Sequence, residues 1–322
     1  MSQIEPTCRE IEADLVATAA GDAPATAARR VEHHLGLCGD CRQQFGRYQA
    51  IDGLVGTMRT APGVPEGLGA ARGDLESRLA DLRSRIVAYR TFSSPMGPIL
   101  IARSELGVSM VEYLGHAGGI GTSRLRRMAG VEPVEGGTEL EPLERELLEY
   151  IGGQRSHLEW PLDLRLARSE FHRSVLRATA GIPYGAVTSY GHIATEIGRP
   201  AASRAVAQAL RWNPLPIVVP CHRVIGASGA LVGYAGKRIG LKKRLLDVEG
   251  VPTEHHAGTA RVSRDSMYVL YPGDPEYCVP SCPSVTPTRH SQATLFSSRA
   301  RAEAEGLEPC TTCRPDLHPL SR

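Results

Sequence analysis

One run of ten residues, Ile217-Val218-Val219-Pro220-Cys221-His222-Arg223-Val224-Ile225-Gly226, constrains this chain more than any other. Two apolar stretches rich in β-branched residues flank a proline and a Cys-His-Arg triplet. That pattern fits a buried strand that enters a tight turn and leaves it still buried. It holds one thiol beside one imidazole in a dry, rigid place. Cysteine attacks as thiolate, and a histidine that accepts its proton, directly or through water, raises the thiolate fraction near neutral pH. An isolated Cys-His pair fits a buried structural cysteine beside a polar turn better than a nucleophile, so the flanking residues must decide.

At 322 residues, with 42% hydrophobic and 22% charged residues, the chain has apolar material for one sizeable core plus small modules, two or three domains in all. No apolar run approaches a membrane span, and the start MSQIEPTCRE lacks the basic and apolar regions of a secretory signal. A cytoplasmic protein with no membrane partner is therefore expected. The 37 basic and 35 acidic residues nearly cancel. Their distribution says more, because Arg168, Arg173, Arg177, Arg199, Arg204, Arg211, Arg223, Lys237, Arg238, Lys242, Lys243 and Arg244 fall in one stretch with few carboxylates. Such a cluster suits a phosphate backbone.

The eight cysteines separate into Cys8, Cys38 and Cys41, then Cys221 alone, then Cys278, Cys282, Cys310 and Cys313. A cytosolic location argues against disulfides, and the spacings Cys38-x2-Cys41, Cys278-x3-Cys282 and Cys310-x2-Cys313 are those of metal ligands. His34, Cys38 and Cys41 lie at offsets of four and seven, which would share one helix face. With Cys8 they complete a tetrahedral set of three cysteines and one histidine, while His33 points to solvent. Two structural Zn2+ sites would leave only Cys221 free. An amphipathic helix with incidental cysteines, or an unrelated four-cysteine module, remain the plainer alternatives.

Composition and periodicity divide the chain into a helical segment at 1–59, a Gly/Pro/Ala-rich linker and charged helix at 60–84, an α/β segment at 85–168, a helical segment at 169–251, a linker at 252–266 and a terminal module at 267–322. The 85–168 segment shows two β-like runs around Ser94-Pro95-Met96-Gly97-Pro98 and a helix over Gly137–Gly153. In 169–251, Ser169 opens one helix, Ser189 caps a second that stops at Gly198, and Pro200 suits the first turn of a third. The short connection between the last two is helix-turn-helix architecture, and the exposed residues of the third helix are mostly alanine.

Between Ile182 and Gly250 the chain carries, in order, Ser189-Tyr190-Gly191, Ser203-Arg204-Ala205-Val206, Asn213-Pro214, Pro220-Cys221-His222-Arg223 and Glu249-Gly250. This half resembles the O6-alkylguanine-DNA alkyltransferase (methylated-DNA–protein-cysteine S-methyltransferase) family. The resemblance implies an α/β plus helical fold: a small α/β (RNase H-like) lid domain, then a winged helix-turn-helix-like catalytic domain, flanked by two small zinc-binding modules. It implies single-turnover, irreversible transfer of an alkyl group from O6-alkylguanine in double-stranded DNA to Cys221, with no cofactor for that step. His222 would take the thiol proton through a water, and Glu249 would orient the imidazole. Asn213 would brace the turn before the active-site strand, and Tyr190 would crowd the target phosphate and protonate the departing base. Arg204 would enter the stack from a helix presenting Ser203, Ala205 and other small residues to the minor groove. Tyr234, Ala235 and Val224 would line the base pocket. Rotating a base out of the duplex costs roughly a few kcal/mol, so an intercalating side chain has a clear purpose.

The first segment resembles the zinc-binding anti-sigma-factor domain, which implies a sigma factor as a further partner and a regulatory, damage-sensing alternative. The last resembles the metal-binding domain of the bacterial Ada protein, which nominates Cys278 as a methyl acceptor from phosphotriesters. Thr311-Thr312 stands where that pattern has a basic pair, which should weaken phosphate affinity. A non-catalytic lesion-binding protein is a third possibility, disfavoured because such proteins lack the acceptor thiol. On DNA the protein would sit at the nucleoid.

Overall fold

Helices with one apolar stripe need a partner for it, and the first three supply it to one another. The computed structural model describes residues 8–60, 66–115, 125, 130–236, 238–256, 258–286 and 291–320. The chain divides into two compact units, Met1–Arg78 and Leu79–Arg322. In the first, α1 (Cys8–Ala19), α2 (Ala25–Leu37) and α3 (Gly39–Thr60) close around Ile11, Leu15, Val31 and Cys41. His34, Cys38 and Cys41 do not share a helix face as expected. Cys38 is extended (φ −113°, ψ 115°) and ends α2, and Cys41 belongs to α3. The break, not helical periodicity, brings the three together. The helix α4 (Glu66–Arg85) begins inside the stretch expected to be linker, supported by i,i+4 pairs Arg72–Glu76 at 2.8 Å and Asp74–Arg78 at 2.9 Å.

The second unit opens with β1 (Ile86–Phe92), β2 (Ile99–Ser104) and β3 (Gly107–Tyr113), consecutive antiparallel neighbours, with β4 (Glu132–Glu135) parallel to β1. The close approach of the start of β3 to the chain at Pro161 needs glycine: Gly107 has φ +141°, and a Cβ there would lie 2.2 Å from the Pro161 carbonyl oxygen. Against this sheet lies α5 (Glu141–Ile151), which buries Leu143, Leu147, Tyr150 and Ile151 at helical spacing. Each such side chain contributes roughly 1.5–3 kcal/mol on burial.

Next come α6 (Glu170–Ala180), capped by the Ser169 hydroxyl, β5 (Ala186–Ser189) and α7 (Tyr190–Glu196), whose His192 N–H donates to Ser189 Oγ at 3.0 Å. A 3-10 turn at Pro200–Ala202 leads into α8 (Ser203–Arg211), which buries Val206, Ala209 and Leu210 and exposes Arg204 and Ala205. Not every alanine of this helix is exposed, since Ala209 is a core residue. The short strand β6 (Val224–Ile225) runs parallel to β5, and α9 (Ile239–Val248) closes this part.

Residues 252–266 are not a linker. They form a hairpin, β7 (Thr253–His256) and β8 (Thr259–Val262), held to the preceding part by Leu231 N–H on Ala260 O at 2.8 Å. The remaining elements are β9 (Tyr268–Leu270), β10 (Glu276–Tyr277), β11 (Thr294–Phe296), α10 (Arg299–Ala304) and β12 (Glu308–Pro309). β11 pairs with β5 on one side and β9 on the other, giving the order β6-β5-β11-β9. The terminal module thus covers what would be an open edge of β5, and one core runs from Phe92 to Cys310. Among the described residues, no helix is long and apolar enough to cross a membrane.

Candidate active site

The approach to Cys221 is built from strained, tightly bonded backbone. Ile217 has φ +77°, rare for a β-branched residue, and Val219 N–H returns to Leu215 O at 2.8 Å. Asn213 clamps this loop from both ends: its Nδ2 donates to Val219 O at 2.9 Å, and its Oδ1 accepts from Leu215 N–H at 2.9 Å. Pro220 then starts the 3-10 turn Cys221–Arg223, which runs directly into β6. All three residues of the turn are buried.

Cys221 lies on a cavity of about 350 Å³ lined also by Tyr190, Leu210, Arg211, Tyr234 and Ala235. That volume is near the lower end for small-molecule pockets, roughly 300–1,000 Å³. Burial pushes the thiol above its ordinary pKa, opposed by a hydrogen bond with Asn213 and by the Lys242 charge. Behind it, His222 Nε2 meets Glu249 Oε1 at 2.5 Å, while His222 Nδ1 is buried with no hydrogen-bond partner among the described residues. A carboxylate on Nε2 fixes the proton there and leaves Nδ1 as the free acceptor. Burial holds His222 below its ordinary pKa against the pull of Glu249, so the resting pair is thiol and neutral imidazole.

Glu249 is the hub of the site. It also accepts from Tyr150 Oη at 2.6 Å, Arg223 Nε at 2.9 Å and Gly185 N–H at 3.0 Å. Burial alone would raise its pKa, yet His222 and Arg223, which both hydrogen-bond its carboxylate, hold it at about 2. Arg223 in turn donates to Tyr150 Oη at 2.8 Å and to Ile182 O. The charge is thus fully buried and fully bonded, the condition under which such a pair persists.

On the other wall, Tyr234 hydrogen-bonds Tyr113 through their hydroxyls at 3.0 Å and sets its ring edge-on to His222, centroids 6.3 Å apart. Tyr190 donates its hydroxyl to Val232 O at 3.1 Å, and Ala235 sits at φ +39°. Lys242 is fully buried beneath this loop, donating to Val224 O at 2.5 Å and Val232 O at 3.1 Å, with burial lowering its pKa to about 8.

A profile described as 6-O-methylguanine DNA methyltransferase, DNA binding domain, matches residues 170–251, and one described as the metal binding domain of Ada matches 275–316. A methylated-DNA–protein-cysteine methyltransferase of Methanosarcina acetivorans is 40% identical over 164 residues, 50% of this chain and 97% of that protein. The chain belongs to this methyltransferase family. A second member, from Mycolicibacterium paratuberculosis, is 42% identical over 168 residues, 51% of this chain and 93% of its own length. The solved structure of the Mycobacterium tuberculosis O6-methylguanine methyltransferase shares 39% identity over 51% of this chain and 92% of that one, with a TM-score of 0.44.

Within this methyltransferase, Cys221, Tyr190, Tyr234 and Ala235 meet at one cavity, with His222, Glu249 and Asn213 packed behind it. Val224 does not line the cavity; it is wholly buried in β6. Arg204 and Ala205 are exposed on α8, and Ser203 is half-buried at its start. The basic stretch is only partly a surface. Arg223 and Lys242 are interior, Arg173 and Arg177 pair with Glu170, and Arg168 stacks on Trp212 at 4.0 Å. Lys237 lies outside the described residues.

Tyr113, Tyr150 and Gly185 have no place in the sequence-based site. Lys242 was placed, but on the phosphate-facing surface. Its position one helical turn before Leu246, in a row of buried leucines, was the available signal.

Both cysteine clusters fit a metal. The ligand atoms of Cys8, His34, Cys38 and Cys41, and those of Cys278, Cys282, Cys310 and Cys313, each lie within 4.8 Å of one another. Cys8 Sγ and Cys38 Sγ are 3.8 Å apart, about the edge of a tetrahedron with ~2.3 Å zinc–sulfur bonds. Among the described residues His34 Nε2 is buried with no hydrogen-bond partner, as a ligand nitrogen should be.

Proposed function

We propose that the chain repairs alkylated DNA by moving an alkyl group from guanine O6 to Cys221, once per molecule. One observation carries this: the thiol lies on a cavity of about 350 Å³, and the next residue is an imidazole whose Nε2 is bonded to Glu249 and whose Nδ1 has no hydrogen-bond partner among the described residues. Its relatives bear the name of that activity.

The Cys221 proton passes to His222 Nδ1 through a bound water, and Glu249 stabilises the imidazolium so formed. The thiolate attacks the alkyl carbon; the C–S bond forms as the C–O6 bond breaks, and the electron pair leaves with guanine as an anion. Tyr190, whose hydroxyl lies at the cavity, supplies a proton to the departing base. The thioether does not revert, so the protein is consumed.

The substrate is double-stranded DNA with the target nucleotide rotated out. The face of α8 presents small residues to the minor groove, with Arg204 filling the gap and Ser203 and Ala205 allowing close approach. Tyr234 and Ala235 hold the base. In this reading 85–168 is an RNase H-like lid and 169–251 a winged helix-turn-helix-like catalytic domain. Residues 1–59 and 267–322 are zinc modules, each metal supplying a structural tie among its four ligands. A sigma factor as partner rests on the resemblance of 1–59 alone and is not invoked.

The test is transfer from a duplex carrying O6-[³H]methylguanine. Label should move to protein and saturate at one equivalent. Lesion binding without transferred label would make the chain a damage-recognition protein instead.

A further inference from the structure

The C-terminal module reaches the Glu249 network at two adjacent residues. Gly185 gives its N–H to Glu249 Oε2 at 3.0 Å, and its carbonyl accepts from Ser297 N–H at 2.9 Å. The ring of Tyr184 lies between two guanidinium groups: Arg223, the partner of Glu249, at 5.6 Å, and Arg301 of α10 at 4.2 Å. The Tyr184 hydroxyl donates to Val248 O at 3.1 Å, one residue before Glu249, and its ring meets Tyr150 edge-on with centroids 5.7 Å apart.

The fit between the two parts is close. A Cβ at Gly185 would lie 2.9 Å from Ser297 Oγ and 3.0 Å from Arg301 Nε. Beyond it, Ala186 pairs with Phe296 and Val187 with Leu295, so the strand leaving this corner is also gripped by the module. Arg301 has no carboxylate partner among the described residues, and Ser298 caps its helix through the Arg301 N–H at 3.3 Å. A half-buried guanidinium without a carboxylate is explained by what it covers: the aromatic face that backs the buried Arg223–Glu249 pair.

We propose that Arg301 and Ser297 are positioning residues for alkyl transfer: by fixing Tyr184 and Gly185 they hold Glu249 in the orientation that His222 requires. The proposal rests on Cys221 being the alkyl acceptor. It makes the C-terminal module a working part of the catalytic centre, through residues that are not among its four cysteines. Ser297 acts through backbone, so its side chain is dispensable, whereas the Arg301 cation is not.

The test uses the full chain as purified and three variants, Arg301→Ala, Arg301→Met and Arg301→Lys. Transfer from an O6-methylguanine duplex is measured at saturating DNA, separately from the Kd for that duplex. Arg301→Ala and Arg301→Met should slow transfer about tenfold with Kd changed less than twofold, the size of a partly buried cation–π contact acting on the rate. Arg301→Lys, which keeps a cation over Tyr184, should recover to within about threefold of wild type. Equal rates for wild type and Arg301→Met would overturn the proposal while leaving Cys221 as acceptor. So would a loss that Arg301→Lys does not restore, or one confined to Kd.

Reaction of Cys221 with iodoacetamide, read by peptide mapping, needs no lesion and separates the two claims. If wild type transfers nothing from DNA, the function reading fails, and iodoacetamide rates alone decide the proposal. Slower labelling of Cys221 in Arg301→Met then supports it, and unchanged labelling overturns it.

Discussion

Replacing Glu249 by glutamine removes one charge and leaves shape almost unchanged, so it isolates what the carboxylate does. Four donors converge on it: His222 Nε2, Tyr150 Oη, Arg223 Nε and Gly185 N–H. A glutamine amide must turn its NH2 toward two of them, and Arg223 is left as a buried cation without a counterion. Removing one partner of a buried pair costs about 3–5 kcal/mol, so the urea midpoint should fall by that equivalent. Transfer should suffer separately, because the imidazole loses both its fixed tautomer and the charge that stabilises imidazolium; a loss of two to four orders of magnitude is expected. The double variant Glu249→Gln/Arg223→Met removes the orphaned cation. It should recover much of the stability and none of the rate. Single-turnover transfer at saturating duplex, with unfolding curves on the same samples, tests both. A folded Glu249→Gln protein that transfers within about threefold of wild type would refute the argued role of the carboxylate.

Three further outcomes follow from the same geometry. Glu249 is held at about 2, below its ordinary 4.5; this contributes stability that is full above pH 4.5 and lost as pH falls toward 2, about 3 kcal/mol in all. Urea midpoints between pH 2 and 6 should show that loss in wild type and not in Glu249→Gln, and equal slopes would contradict it. Tyr113→Phe leaves the buried Tyr234 hydroxyl without its 3.0 Å partner, which should cost about 1–2 kcal/mol in a urea titration; an unchanged midpoint would show that the pair contributes nothing. Removing metal from the C-terminal cluster with a chelator should speed amide exchange in β9 and β11 at least about tenfold, since Cys278 exchanges both backbone hydrogen bonds with Val269, at 2.9 and 2.8 Å. Unaltered exchange there would mean the module stands without its metal.

The sequence carried the centre of the site because its chemistry is local in sequence: Pro220-Cys221-His222-Arg223 and Glu249-Gly250 are short motifs whose residue types announce proton transfer. What surrounds them comes from elsewhere in the chain. Tyr113 ends β3 and Tyr150 lies in the last turn of α5, in a segment whose pattern gives elements but no motif, so their meeting with Tyr234 and Glu249 is a tertiary fact. Charge counting misplaced Lys242 and Arg223, because composition does not distinguish a cation that faces phosphate from one bonded to interior carbonyls or a carboxylate. Helical periodicity gathered His34, Cys38 and Cys41 for the wrong reason: a helix break at Cys38 does it. Segment 252–266 reads as a linker because Pro252, Gly258 and its many polar residues outweigh the strand formers Thr253, Thr259 and Val262, which nevertheless pair as a hairpin. The insertion of β11 beside β5 was likewise out of reach, since three residues give no readable alternation.

The most direct test of the account is to mix the protein with a duplex carrying O6-methylguanine and map every cysteine-containing peptide by mass spectrometry, with Cys221→Ser alongside. The account predicts a single added methyl on Cys221, no more than one per molecule, with normal guanine restored in the DNA and neither change in the variant. An unmodified Cys221 beside lesion-bearing DNA that the protein binds tightly would contradict it.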